Sequence, residues 1–226
     1  MWKFWSNKKT IPKQVDHFPE EVQLYLRQIE EGRKIKSSVR ETSYVVFDLE
    51  TTGLNTAKDH ILSFAFVRVE NGQIRLKDRL EGYLNIGENA IQAAEIHHVT
   101  KSDTLQGADE YHFILAVLKF IGNSVLVGHH VAFDKGCLDQ LMKEHFGFEL
   151  LNKTVDTAQL GARIENPMMS GYAGKKAFKN LDALCKDYEI VPEARHSASG
   201  DTYTTALLFL KLMRKAEQRK IAEIAE

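Results

Sequence analysis

Asn71-Gly72 lies between two β-type runs, Ile61 to Val69 and Gln73 to Leu84, and this pairing constrains the fold more than any other feature of the chain. A two-residue hairpin turn needs positive φ at its central residues, and Asn and Gly adopt it most readily. The two runs therefore read as an antiparallel hairpin. Ahead of them, Tyr44-Val45-Val46-Phe47 is a β-branched and aromatic run without a polar break, as in a strand buried on both faces. The first three strands should form an antiparallel meander.

Helical spacing follows. Tyr111 to Ile121 places apolar residues at 113, 114, 117, 118 and 121, and Asp134 to His145 places Cys137, Leu138, Leu141 and Met142 on one face. Short strands are expected at Ser124 to Val127 and around Val155. Later helices are expected over Thr157 to Ile164, Leu181 to Tyr188 and Ser199 to Lys215, with a loop from Glu165 to Lys179. A meander followed by alternating helices and strands gives an α/β mixed sheet. Before it, Val22, Tyr25, Leu26 and Ile29 predict a helix that starts near Phe18-Pro19-Glu20 and ends at Gly32-Arg33-Lys34. This divides the chain into an N-terminal helical and basic extension (1–42) and a main domain (43–226).

The 226 residues suit one domain with a short appendage. The formal net charge of −1 excludes nucleic-acid binding by bulk charge, so local patches must supply any phosphate affinity. Cys137 and Cys185 make no metal spacing and suggest a reduced, cytoplasmic protein. No stretch reaches the roughly 18 apolar residues of a membrane span. The start, Met1 to Lys9, is basic and aromatic without the apolar stretch of a secretory signal.

Three acidic segments stand out. Asp48 and Glu50 close the first strand at i and i+2, and so share one face. Two ionised acids side by side repel, and a divalent cation removes that repulsion. An oxygen-only donor set suits Mg²⁺ or Mn²⁺ better than Zn²⁺. The Thr51-Thr52-Gly53-Leu54 turn follows, with a glycine where backbone can approach a ligand. Asp134 opens a helix after Gly128-His129-His130-Val131-Ala132-Phe133. Asp201 and Thr205 lie one helical turn apart, with His196 in the loop before them. Taken singly, these are a strand end, a helix cap and a polar helix start.

Together and in order, the segments resemble the DEDD exonuclease superfamily. Val45-Val46-Phe47-Asp48-Leu49-Glu50-Thr51-Thr52-Gly53-Leu54 is similar to its first motif. Gly128-His129-His130-Val131-Ala132-Phe133-Asp134 resembles the second, with His130 where Asn is usual. His196-x4-Asp201 matches the third in the histidine subgroup; the tyrosine subgroup would need Tyr where Ser197 stands. Ala94-Glu95-Ile96-His97-His98-Val99-Thr100 resembles the family's Ile-His-Gly-Ile-Thr segment, with His98 at the glycine. Thr154 to Thr157 and Leu181 to Cys185 also fit. The resemblance covers about residues 43 to 213 and is nearest to the proofreading epsilon subunits of bacterial DNA polymerase III. It implies a ribonuclease H-like mixed sheet flanked by helices.

The resemblance further implies two divalent ions, Mg²⁺ or Mn²⁺, held by Asp48, Glu50, Asp134 and Asp201. Asp48 would bridge both, with Glu50 and Asp201 on the ion beside the attacking water and Asp134 serving the other through water. His196 would be the general base, since imidazole titrates near neutrality. The implied substrate is a single-stranded 3′ end of DNA, cut to nucleoside 5′-monophosphates. Thr51, Thr52, Gly53, Leu54, His97 and Phe133 would contact the terminal nucleotide, and Lys135, Lys175, Lys176 and Lys179 are candidate phosphate contacts. A DNA polymerase is a candidate partner. The alternatives are an exonuclease of RNA or short oligoribonucleotides, and a non-catalytic module binding nucleic acid or a polymerase.

Overall fold

A computed structural model describes residues 10–34, 38–87, 105–165 and 178–219. The Ala94–Thr100 segment with His97 and His98, Lys175, Lys176, and the basic start lie outside the described residues. Strand β1 (Tyr44–Thr51) pairs antiparallel with β2 (Ile61–Glu70), which pairs antiparallel with β3 (Gln73–Tyr83). Asn71 and Gly72 between them have φ of 52° and 72°, as the hairpin turn requires. On its other side β1 runs parallel to β4 (Val125–Gly128), and β4 runs parallel to β5 (Thr154–Asp156). The order β3-β2-β1-β4-β5 is the mixed ribonuclease H-like sheet expected from the sequence.

The sheet separates two helical layers, and the parity of β1 residues decides which layer each one faces. Val45, Phe47 and Leu49 join a core with α1 (Glu20–Gly32), α2 (Glu110–Ile121) and α3 (Ala132–Phe146). Tyr44 and Val46 join a second core with α4 (Thr157–Glu165), α5 (Leu181–Asp187) and α6 (Ala198–Gln218). Asp48 and Glu50 continue the even series, so their side chains point toward the α4–α6 side at the open end of the strand. A bulge sits at the same end: Glu50 pairs with Ser63 but Thr51 with Ile61, leaving Leu62 as the extra residue. Bulges bend a strand and re-aim its side chains, and they recur beside active sites.

Helix α1 packs into the core of the main domain. Val22, Tyr25, Leu26 and Ile29 are buried. The Tyr25 hydroxyl donates to Asn152 Oδ1 (2.8 Å) and accepts from the Leu151 N–H (2.7 Å). Asn152 Nδ2 in turn donates to the carbonyls of Gly122 and Ser124 (both 2.8 Å). Tyr25→Phe leaves a buried donor and a buried acceptor unpaired, which costs about 1–3 kcal/mol. The expected result is a melting temperature lower by about 2–12 °C; an unchanged value would show that the network contributes nothing. No helix among the described residues is long and apolar enough to cross a membrane.

Candidate active site

Asp48, Glu50 and Asp201 converge at the open end of β1. Each offers a carboxylate oxygen, and these oxygens lie within 4.8 Å of one another. Asp201 arrives from the first turn of α6, which lies over β1 and β2. Thr202 next to it is buried and donates from its hydroxyl to the Ala65 carbonyl (3.1 Å). Ala65 is the cross-strand partner of Asp48, so this bond sets the height of α6 against the acid pair.

Asp134 comes from the opposite layer. The sequence allowed it to be a helix cap, but the N-cap of α3 is Val131, which makes no side-chain cap bond. The Asp134 carboxylate instead accepts a hydrogen bond from the Leu49 peptide, and its charge is the strongest one felt by Asp48. The four acids thus meet above one strand tip, two from β1 and one from each helical layer.

Their mutual repulsion is large because water is largely excluded. Glu50, Asp134 and Asp201 are all less than a tenth exposed. Burial, then the charges of Asp134, Asp201 and Glu50, hold the Asp48 carboxyl well above the usual carboxylate range. Burial and the Asp201 charge push Glu50 up to about 7, and burial pushes Asp134 up to about 7. The donor set is oxygen only, which fits a hard divalent cation. Adjacent oxygens on one octahedral Mg²⁺ at about 2.1 Å lie about 3 Å apart, so the three carboxylates would draw together on a bound ion.

His196 stands on the rim, exposed, in the left-handed backbone region (φ 62°). Its peptide N–H donates to Asp201 Oδ2 (3.3 Å) and its ring is close enough for its charge to act on Glu50. Ala194, two residues earlier, is also left-handed (φ 47°). Ser197 closes this turn as the N-cap of α6, accepting from the Gly200 N–H (3.2 Å) and donating to the Ala194 carbonyl (2.6 Å).

Three contributors escaped the sequence reading. Arg195 donates from Nη1 to Asp201 Oδ1 and from Nε to Asp182 Oδ1 (2.7 Å). Gly200 lets the 193–196 turn lie directly on α6; a Cβ there would meet the Glu193 carbonyl at 2.6 Å and the Ala194 carbonyl closer still. Asp59 staples the loop after β1, accepting from the Asn55 N–H (2.6 Å) and the Thr52 hydroxyl (3.3 Å). A glycine in the first turn of a helix was the one available signal for a close approach. Nothing in the sequence separates Arg195, Asp182 or Asp59 from other surface charges.

Several expectations change. Gly53 packs on its Cβ side against the Asp59 carboxylate, which an added Cβ would meet at 2.6 Å. The Thr51 hydroxyl donates to the Gly53 carbonyl (2.7 Å) and the Thr52 hydroxyl accepts from the His60 N–H (2.9 Å). Of the four turn residues, Leu54 presents the outward side chain, 89 % exposed. Phe133 is half-buried against the α1–α3 core. Lys135 is engaged with Asp139 (2.6 and 2.7 Å), and Lys179 with Glu165 (2.6 Å) and Asp187 (2.8 Å), so both are spent within the protein rather than held out for phosphate. His130 has φ of 58°, a conformation for which Asn, Asp and His are enriched. Its peptide N–H donates to Asp156 Oδ1 (3.2 Å).

Comparison with known proteins fits this geometry. The exonuclease family model RNase_T matches residues 45–209, the span that holds all four acids and His196. The chain belongs to the DEDD 3′–5′ exonuclease family. The family's DNA polymerase III PolC-type protein from Bacillus subtilis is 35% identical over 189 residues, covering 81% of this chain and 12% of that protein. Its counterpart from Staphylococcus haemolyticus is 32% identical over 183 residues, covering 80% and 12%. This chain therefore spans about an eighth of the length of these curated relatives. Among solved structures, E. coli exonuclease I in a zinc-bound complex with single-stranded DNA superposes with a TM-score of 0.65 at 18% identity, covering 79% of this chain and 42% of that one. The same enzyme with a dT13 oligonucleotide gives 0.61 at 16% identity, covering 80% and 43%. These likenesses establish the exonuclease fold.

Proposed function

We propose that this chain is a metal-dependent exonuclease of the histidine subgroup that shortens single-stranded DNA from its 3′ end and releases nucleoside 5′-monophosphates, in proofreading or repair. The observation that carries the reading is the convergence of three carboxylate oxygens within 4.8 Å at the tip of β1, with Asp134 beside them. Repulsion of that size has a use when a cation is held there. Asp48, Glu50 and Asp201 would hold one Mg²⁺ or Mn²⁺, and Asp48 with Asp134 a second. Bound there, the ions supply positive charge to the attacking and leaving oxygens of an in-line displacement.

The chain's own residues do the rest. His196, exposed on the rim beside Glu50, takes a proton from the attacking water. The water oxygen bonds to phosphorus, the bond to the 3′ oxygen breaks, and that oxygen leaves as the new 3′ hydroxyl with a proton. Leu54 offers an apolar face to the terminal base, a contact that tolerates any sequence. The relatives named as DNA polymerases and the structures with DNA oligonucleotides favour DNA over RNA, and the polymerase relatives make a DNA polymerase the proposed partner. The reading places the enzyme in the cytoplasm, with residues 43–226 as the exonuclease domain and 1–42 as its extension.

The deciding assay offers Mg²⁺ or Mn²⁺ with 5′-labelled single-stranded DNA and RNA of equal length, with and without EDTA. Stepwise shortening of DNA, faster than of RNA and abolished by EDTA, is expected. Faster trimming of RNA would replace DNA by RNA as substrate, and no cleavage of either would favour a binding module. His196→Ala should lower turnover by about 10²–10⁴-fold and leave Mn²⁺ binding within a few-fold of the parent. Near-parent turnover would remove His196 from the role of base.

A further inference from the structure

We infer that Arg195 is a built-in counter-ion that competes with the divalent cation for Asp201. The inference rests on the proposed metal site and concerns what holds that site together before a cation arrives.

The geometry is specific. Arg195 presents Nε and Nη2 to the two oxygens of Asp182 (2.7 and 3.5 Å), a side-on pairing, and its remaining Nη1 to Asp201 Oδ1. Asp182 sits in the first turn of α5 and Asp201 in the first turn of α6, so the guanidinium bridges two helix starts. Its side chain is only about a quarter exposed, which limits screening by water. The other oxygen of Asp201 accepts from the His196 peptide. Both oxygens of this carboxylate are therefore taken by the 195–196 turn. The Arg195 charge also acts on both Asp48 and Glu50 against their carboxylate neighbours and their burial, with the His196 ring adding to it at Glu50.

Linkage fixes the direction of the effect. Without metal, the guanidinium is attracted to Asp201 and, at longer range, to Asp48 and Glu50. With a cation among the same acids, that attraction is shared and the two positive charges repel. Arg195 thus stabilises the metal-free protein more than the metal-bound one, and by reciprocity lowers the affinity for the metal. Asp182 gives the guanidinium a second partner to retain when Asp201 turns to the cation. Arginine rather than lysine suits this role, because its planar fork serves two carboxylates at once.

The test compares the parent protein with Arg195→Gln and Arg195→Lys by calorimetric titration with Mn²⁺ and by melting in EDTA and in saturating Mn²⁺. Arg195→Gln should bind Mn²⁺ about tenfold or more tightly than the parent, melt lower in EDTA, and gain more from Mn²⁺. Arg195→Lys, which keeps the charge but loses the fork, should fall between the two, and it carries the test if the glutamine variant does not fold without metal. Equal or weaker Mn²⁺ binding by the variants overturns the inference, since a residue that merely braces Asp201 would weaken binding when removed. Failure of every protein, the parent included, to bind Mn²⁺ overturns the metal site itself and the inference with it.

Discussion

Asp48→Asn should give a protein that cleaves no nucleic acid yet is more stable than its parent above neutral pH in the absence of metal. The loss of cleavage follows from position. Asp48 lies between Asp134 on one side and Glu50 and Asp201 on the other, and it feels the charge of all three. Removing its charge takes away the carboxylate shared by both proposed cation positions, and turnover should fall by at least about 10³-fold. The gain in stability follows from the sign of the pKa shifts. A carboxyl whose pKa is raised in the folded state favours folding when protonated. That contribution is complete below the unfolded pKa and is lost as pH rises through the folded value. For Glu50 the window runs from 4.5 to about 7; for Asp48 it opens at 3.8 and extends upward. Melting in EDTA at pH 5 and pH 8 should show the variant ahead of the parent by several degrees at pH 8 and by less at pH 5. Saturating Mn²⁺ should reverse the order. A variant that melts below the parent at pH 8 in EDTA would contradict the account of a strained acid cluster.

Gly200→Ala should be the most damaging change of a single hydrogen to a methyl group at the site. In a helix, Ala is ordinarily better than Gly by about 0.5–1 kcal/mol. Here the added Cβ would collide with the carbonyls of Glu193 and Ala194, and these are backbone atoms of a turn already left-handed at Ala194 and His196. The turn must move, and with it His196 and the Arg195 contact to Asp201. A loss of about 3 kcal/mol or more is expected, or about 6–12 °C in melting temperature, with nuclease activity falling further than stability. Gly136→Ala in α3 is the control: its nearest foreign atom is the Thr56 methyl at 3.2 Å, a side chain that can give way, so melting should change by only a few degrees. If the two substitutions behave alike, the turn is not held by contact with Gly200.

The readable part of the site was the part built on period and turn chemistry. The i, i+2 spacing of Asp48 and Glu50 fixed their shared face, and Asn71-Gly72 fixed the hairpin that makes β1 the middle strand. What sequence spacing could not convey was approach across the sheet. By spacing alone Asp134 reads as a cap, and only the family resemblance marks it as a metal-holding acid, because its partner, the Leu49 peptide, is 85 residues away along the chain. Lys135 and Lys179 read as phosphate contacts because their acidic partners lie across a helical turn and across a loop. In each case a side chain was satisfied by a neighbour that only the assembled fold supplies.

The division of the four acids between two helical layers has a consequence for the folding chain. Asp134 belongs to the α1–α3 side and Asp201 to the α4–α6 side, and they meet Asp48 and Glu50 only after both cores have closed on the same strand. An intermediate with one layer docked presents three acids at most. On the proposed reading, in which cleavage needs all four acids, the site works as a coincidence detector: a chain with only one layer docked lacks Asp134 or Asp201 and would not cut.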